Sequence, residues 1–298
     1  MNQQQYQYQQ QHQQQEPQDD VVSGAQYRYA LTNFATSQLD KLINRWAAEI
    51  VRQPPTSHEA LARAVLSDII VGLDVSQITA TSMQTQCYLR HAIAETISEG
   101  VINCLIITNS SDANVQLTRI HEHIFARDPT VASVWRRQTF TAAVDKCTPE
   151  MSLSILYEQI PELMKHVSGA LPSSGGTSIL EQAYTFSRML HSSSSSSSGD
   201  AFYRAFVPEI GSTLYPLQIE LVKRCLKSER GELDRVGATI FPGLVKVTRG
   251  APLPNGGYGE NVQTVVRRAQ VICECAMGGA PAPHPPNGIP ASQHAGGY

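Results

Sequence analysis

Apolar residues recur at intervals of three and four along most of this chain. Leu39, Leu42, Ile43, Trp46, Ala47 and Ile50 form one stripe that stops before Pro54-Pro55, the spacing of an amphipathic helix ended by proline. Thr56-Ser57-His58-Glu59 has the threonine and glutamate spacing of a capping box, opening a helix with Leu61, Val65, Leu66 and Ile69 on its face and Gly72 as its stop. A longer helical stretch is predicted from Met83 to Ile107, bent at Gly100. Its last part, VINCLII, is β-branched enough for a strand, but its flanks are helical and no partner strand is visible. Ser110-Ser111-Asp112, Asp128-Pro129 and Thr148-Pro149 each pair a capping side chain with a helix start, the last two with proline in the first turn. Pro161 should kink or divide the helix it falls in.

The same period, extended into the second half, predicts helices at Ile179 to Leu190, from Phe202 through Phe206 and Ile210, from Pro216 through Val222 and Leu226, from Leu233 to Val247, and along Val262, Val265, Val266, Ala269, Ile272 and Cys273. The expected fold class is therefore all-α, an α-solenoid of antiparallel helix pairs of the HEAT or armadillo kind, with a globular helical bundle as the alternative. Residues 1–30 read as a disordered glutamine-rich tail and 278–298 as a disordered Pro/Gly/Ala tail. A polyserine loop at 192–199 interrupts the helical domain expected over 31–277.

Charge changes this picture locally. The chain carries a formal net charge of −3, yet from Ile219 to Arg268 nine basic residues stand against five acidic ones. The six cysteines are scattered and no secretory signal opens the sequence, so reduced thiols in the cytoplasm, or alternatively the nucleus, are expected. No apolar run reaches the ~18 residues of a membrane span.

Catalytic signatures are absent. In His121-Glu122-His123-Ile124-Phe125 a phenylalanine stands where a zinc protease helix needs its second histidine. Cys273-Glu274-Cys275 lacks the spacing of a zinc ribbon or finger, and the glycine-rich loops lack the lysine of a P-loop. The expectation is a non-enzyme with no cofactor and no metal. What remains is a cluster of cations, Lys223, Arg224, Lys227 and Arg230, which on one helix would form a phosphate-contacting face for RNA.

One stretch carries a resemblance. Tyr203 and Phe206, then Leu221-Val222-Lys223-Arg224-Cys225, then Gly237, Phe241 and Gly243 with Val245 are similar in order and spacing to elements of the middle domain of eukaryotic initiation factor 4G and its relatives, a HEAT-type helical domain. Tyr203, Cys225, Gly237, Phe241 and Gly243 would then be a helix-packing motif. Leu226 to Glu229 and Pro242 depart from that pattern. The resemblance implies a scaffold in translation initiation or mRNA metabolism with RNA and an RNA helicase as partners. The residues themselves suggest a helical-repeat scaffold that binds protein and RNA, or a structural or regulatory protein-interaction module with no nucleic-acid role.

Overall fold

The computed structural model describes residues 19–140, 143–169, 175–191, 201–223, 233–251 and 259–278. Its first part is helical: α1 (Asp19–Arg52), α2 (His58–Ile69), α3 (Ser82–Ile97), α4 (Ser111–Arg127), α5 (Pro129–Thr139), α6 (Pro149–Gln159), α7 (Pro161–Val167) and α8 (Gly175–His191). Local chemistry sets most starts. Asp128 accepts from the Thr130 and Val131 N–H groups and Thr148 from that of Met151, each with proline in the first turn. Ser57, not Thr56, caps α2. Pro161 divides α6 from α7, whose own cap position offers no side chain. Asp68 of α2 reaches across instead, accepting from the N–H groups of Glu162 and Leu163 at 3.0 and 2.9 Å. The helix expected to run to Ile107 ends earlier: after Ile97 it loosens into a π-helical turn, Ser98–Ile102. Gly100 sits in that turn because a Cβ there would lie 2.7 Å from the Ile155 side chain. Leu105, Ile106 and Ile107 are buried without being helical. Leu39, Ile43, Trp46, Leu61, Leu66, Leu89, Ile93 and Ile97 lie together in the largest core cluster.

The second part overturns the all-α expectation. Where helices were predicted the chain forms β1 (Ala201–Phe206), β2 (Ile219–Lys223), β3 (Val236–Phe241), β4 (Gly243–Thr248), β5 (Val262–Arg267) and β6 (Ala269–Cys273), closed by a single helical turn, α9 (Glu274–Met277). The strands form two three-stranded sheets, ordered β1-β4-β5 and β2-β6-β3. A HEAT or armadillo solenoid, and equally a closed helical bundle, is excluded by this mixed architecture. Two physical reasons explain it. Val236, Thr239, Ile240, Val245, Val247 and Thr248 are β-branched and fit a pleated surface, and Pro242 costs a helix interior ~3 kcal/mol or more but sits without loss in the joint between two strands.

The sheets share one long bent hairpin. β3 and β4 run on from each other across Pro242, and β5 and β6 across Arg268. The pairing runs from Val236↔Cys273 and Phe241↔Gln270 to Leu244↔Arg267 and Thr248↔Val262, with register shifts between Val236 and Ala238, Thr239 and Phe241, and Leu244 and Val245. β1 adds antiparallel to β4, and β2 adds parallel to β6. Gly243 makes the bend possible: a Cβ there would stand 2.3 Å from the Phe206 ring and 2.9 Å from the Ala269 nitrogen. Gly237 plays the matching part at the other end, where a Cβ would meet Met277 Sδ at 2.6 Å and the Glu274 nitrogen at 2.9 Å.

The helical layer meets this hairpin at one buried contact. His91 of α3 is fully buried, and its Nδ1 accepts the Thr239 N–H of β3 at 2.9 Å. That fixes the tautomer, so Nε2 carries the proton and donates to Glu95 at 3.2 Å. Thr239 also donates its hydroxyl to the Pro208 carbonyl at 2.8 Å.

Two substitutions test this account. Gly243→Ala should lower the free energy of unfolding by about 1–3 kcal/mol, the usual cost of overpacking. Gly169→Ala, whose new Cβ meets nothing within 4 Å, should stay within about 0.5 kcal/mol of wild type. Urea midpoints at constant m-value distinguish the two, and equal midpoints would mean the bend tolerates a side chain.

Candidate functional site

One member of the expected cation cluster falls among the described residues. Lys223 closes β2, its Nζ donating to the Ala276 carbonyl at 3.4 Å, while Arg224, Lys227 and Arg230 lie outside the described residues. Of the expected packing motif, Cys225 is also outside them. Gly237, Phe241 and Gly243 are buried packing residues, in strands rather than helices. The Arg267 guanidinium stacks 4.6 Å above the Phe241 ring. Tyr203 is half-buried in β1 opposite Lys246.

The end of the hairpin gathers chemistry that the sequence separates. β3 begins beside the end of β6, so Asp234 is carried next to Cys273, and the single turn of α9 folds Cys275 back onto both. The carboxylate and the two sulfurs lie within 4.8 Å of one another, the sulfurs 3.8 Å apart. Cys273 is fully buried and donates to the Lys223 carbonyl at 3.9 Å, and the Arg235 N–H holds Asp234 Oδ1 at 2.9 Å. Burial, with the Asp234 carboxylate beside it, pushes the Cys273 thiol above its ordinary range. Cys275 is disulfide-bonded. The sequence announces the Cys-x-Cys pair but not the aspartate, because only the β3–β6 register brings it there.

A second cluster lies between α4, α5, α8 and β1. Arg136 is buried, and among the described residues no carboxylate lies against it. Its Nη1 donates to His121 Nε2 and its Nη2 to the Ala201 carbonyl, both at 3.3 Å. His121 is completely buried, edge-on to Phe202 at 5.1 Å and near Phe125 and Trp135. His123, by contrast, is exposed, so the two histidines share nothing. His191 at the end of α8 donates Nε2–H to the Ile102 carbonyl at 3.0 Å. Burial first and Arg136 second pull His121 down to about 3, and burial brings His191 down to about 4.

The described cavities are built around structural polar groups. One of about 320 Å³ is lined by Asp68, which caps α7, and Glu95, which accepts from His91. Another of about 730 Å³ lies beside Tyr184 and Arg188, which both donate to the Val144 carbonyl.

The sheet edges differ from one another. The β3 edge is closed by His91 on Thr239 and by paired bonds between Val236 and the 211–212 backbone. Along β1, Asn103 grips the N–H and carbonyl of Ala205 at 2.8 and 3.3 Å, and Arg136 takes the carbonyl of Ala201. β2 carries Glu220 and Lys223. In β5 only Arg267 is charged, and Val262 and Val266 are 50% and 46% exposed. Among the described residues no strand or side chain covers its outer edge.

Comparison with protein-family models, characterised proteins and solved structures found no match to this chain.

The buried histidines make acid stability a test of the second cluster. Their folded pKa values lie below the unfolded value of about 6.5, so the unfolded chain binds more protons between those limits. The stabilisation they contribute is complete above about pH 6.5 and is lost as pH falls toward 4 and then 3. Each histidine should add a slope of about 1.4 kcal/mol per pH unit in that window. His191→Gln, which retains a donor for Ile102, should remove one of the two slopes in urea titrations between pH 7 and 4.5 (about the titration window); an unchanged slope would show that His191 takes up its proton without cost.

Proposed function

We propose that this chain is a structural protein-interaction module whose first partner is a second copy of itself, joined along β5. The observation that carries this reading is the uncovered β5 edge. Exposed strands present a row of unpaired backbone groups, and proteins ordinarily blunt them with charge, proline or a covering element. β1 and β3 are covered and β2 is charged, whereas β5 presents Val-Gln-Thr-Val-Val before its single arginine.

The strand is also self-complementary. Antiparallel pairing about Thr264 would set Thr264 against Thr264 on the axis and bring Val262 of one copy toward Val266 of the other, twice, Val266 being the extra residue at the register shift between Leu244↔Arg267 and Val245↔Val265. Such β-branched pairs contribute roughly 0.2–1 kcal/mol each, and the arrangement is the isologous contact of a two-fold dimer. A single strand edge buries much less than the roughly 800 Å² per partner of a stable complex, so association in the micromolar range is the expectation. The RNA reading has less support, since it rested on a helix that is a strand and on cations of which Lys223 alone is described.

Sedimentation velocity on the full chain across a micromolar concentration series tests the proposal. Wild type should move from monomer to dimer mass, while Val266→Lys and Thr264→Pro should each hold the monomer with unchanged far-ultraviolet circular dichroism. A wild type that stays monomeric, or a dimer indifferent to both substitutions, overturns it. Retention of RNA on a filter, lost in Lys223→Ala, would favour the nucleic-acid reading instead.

A further inference from the structure

Buried polar atoms without a partner gather between α4, α5, α8 and β1. Among the described residues, Arg136 Nε, His121 Nδ1, His191 Nδ1 and Thr118 Oγ1 have no hydrogen-bond partner. Thr118 stands one turn before His121 on α4, three residues away and so on the same face. His121 lies within electrostatic reach of both Arg136 and His191. Buried polar groups are nearly always bonded, and a set of them left open marks a place for a water or an ion.

The contacts already made fix what each open atom can do. A guanidinium only donates, so His121 Nε2 accepts from Arg136 Nη1 and the imidazole proton sits on Nδ1. His191 donates through Nε2 to the Ile102 carbonyl, which leaves a bare lone pair on its Nδ1. Two N–H donors, on Arg136 and His121, therefore stand against one fixed acceptor, and the Thr118 hydroxyl can take either role.

Charge is as unbalanced as hydrogen bonding. Arg136 keeps its proton at neutral pH, and a charge taken out of water is ordinarily paired. Glu122, next to His121, is turned to Arg204 at 2.9 Å instead. The exposed neighbour Arg137 adds a further positive charge. One water could serve the open donors, but it carries no charge and leaves the guanidinium uncompensated. What the site lacks is a hydrogen-bond acceptor with a single negative charge. It has to be small, because His121, His191 and Arg136 are only 0%, 2% and 8% exposed.

We propose that this interior site binds a small monovalent anion of halide size, held at the Arg136 Nε–H with the His121 Nδ1–H as its second donor and the Thr118 hydroxyl completing its shell. A water beside the ion donates to His191 Nδ1. The ion neutralises the same guanidinium that closes the β1 edge through the Ala201 carbonyl, so its binding ties α4 and α5 to that strand.

The test uses the full chain at neutral pH and constant ionic strength, with sodium chloride exchanged stepwise for sodium gluconate, whose anion is too large to enter. Chloride should raise the urea midpoint saturably, lowering the unfolding constant about tenfold at about nine times its dissociation constant. The chloride magnetic-resonance line should broaden on wild type and narrow again when bromide competes. Arg136→Gln should lose both effects, whereas Arg137→Gln, which removes the exposed charge next to it, should keep them. Because Arg136→Gln could lose them through misfolding, bromide soaked into wild-type crystals supplies an independent reading: its anomalous signal should lie within hydrogen-bond distance of Arg136 Nε. Equal midpoints in chloride and gluconate would mean that water alone fills the site and would overturn the proposal. So would bromide absent from Arg136, or effects lost equally in Arg137→Gln, which would place the ion on the surface.

Discussion

The hydrogen bond from the Thr239 N–H to His91 Nδ1 is the constraint on which this architecture turns. It joins a helix and a strand that stand 148 positions apart in sequence, at a place where both groups are buried. A buried backbone N–H left without an acceptor costs about 1–3 kcal/mol, and β3 is buried along its whole length. A strand at the border of its sheet yet inside the core needs an acceptor from outside the sheet, and an imidazole with its other nitrogen held by Glu95 supplies one in a fixed orientation. The same problem recurs at β1, and it is solved in the same manner by Asn103 and Arg136. The helical layer therefore completes the hydrogen bonding of the sheets as well as covering their apolar faces.

This dependence explains what the sequence could reveal and what it could not. Helix starts were legible because caps are local: Asp128, Thr148 and their prolines act within three residues, and Pro161 divides its helix in the way its chemistry requires. The strands were not legible. β3 is covered on all sides, so its residues read as a continuous apolar run instead of an alternation, and such a run, extended across Pro242 into β4, mimics helical spacing. The β-branched residues and Pro242 were the available signal, and period alone outweighed them. Phe202 and Phe206, four apart, suggested one helical face; they stand on one face of β1 because an interval of four also satisfies a period of two.

The candidate chemistry shows the same division. Cys273 and Cys275 are visible as a pair, but their neighbour Asp234 is brought in by register, and the glycine that permits the approach, Gly237, lies in a strand where a helix was expected. His121 gives no local signal of its burial. Its burial follows from Arg136, which needs an acceptor on Nη1 while Nη2 closes the β1 edge. A guanidinium buried without a carboxylate demands neutral neighbours, and that demand is what holds His121 and His191 uncharged.

The contrast among the four sheet edges follows from where each one faces. β1 and β3 face the helical layer, where water cannot satisfy their backbone, so their coverage by side chains is obligatory. β2 and β5 face outward, where water can serve, so neither needs covering for the chain to fold. Their side chains nevertheless differ. β2 interleaves Glu220 and Lys223, charges that discourage a second strand from docking. β5 leaves two valines about half exposed on one face, and its lone cation is drawn back onto Phe241 and the Thr36 hydroxyl. Folding alone does not explain that difference, because both edges could carry charges at no cost to the core. The proposed association along β5 would account for it, with the valines supplying the contact.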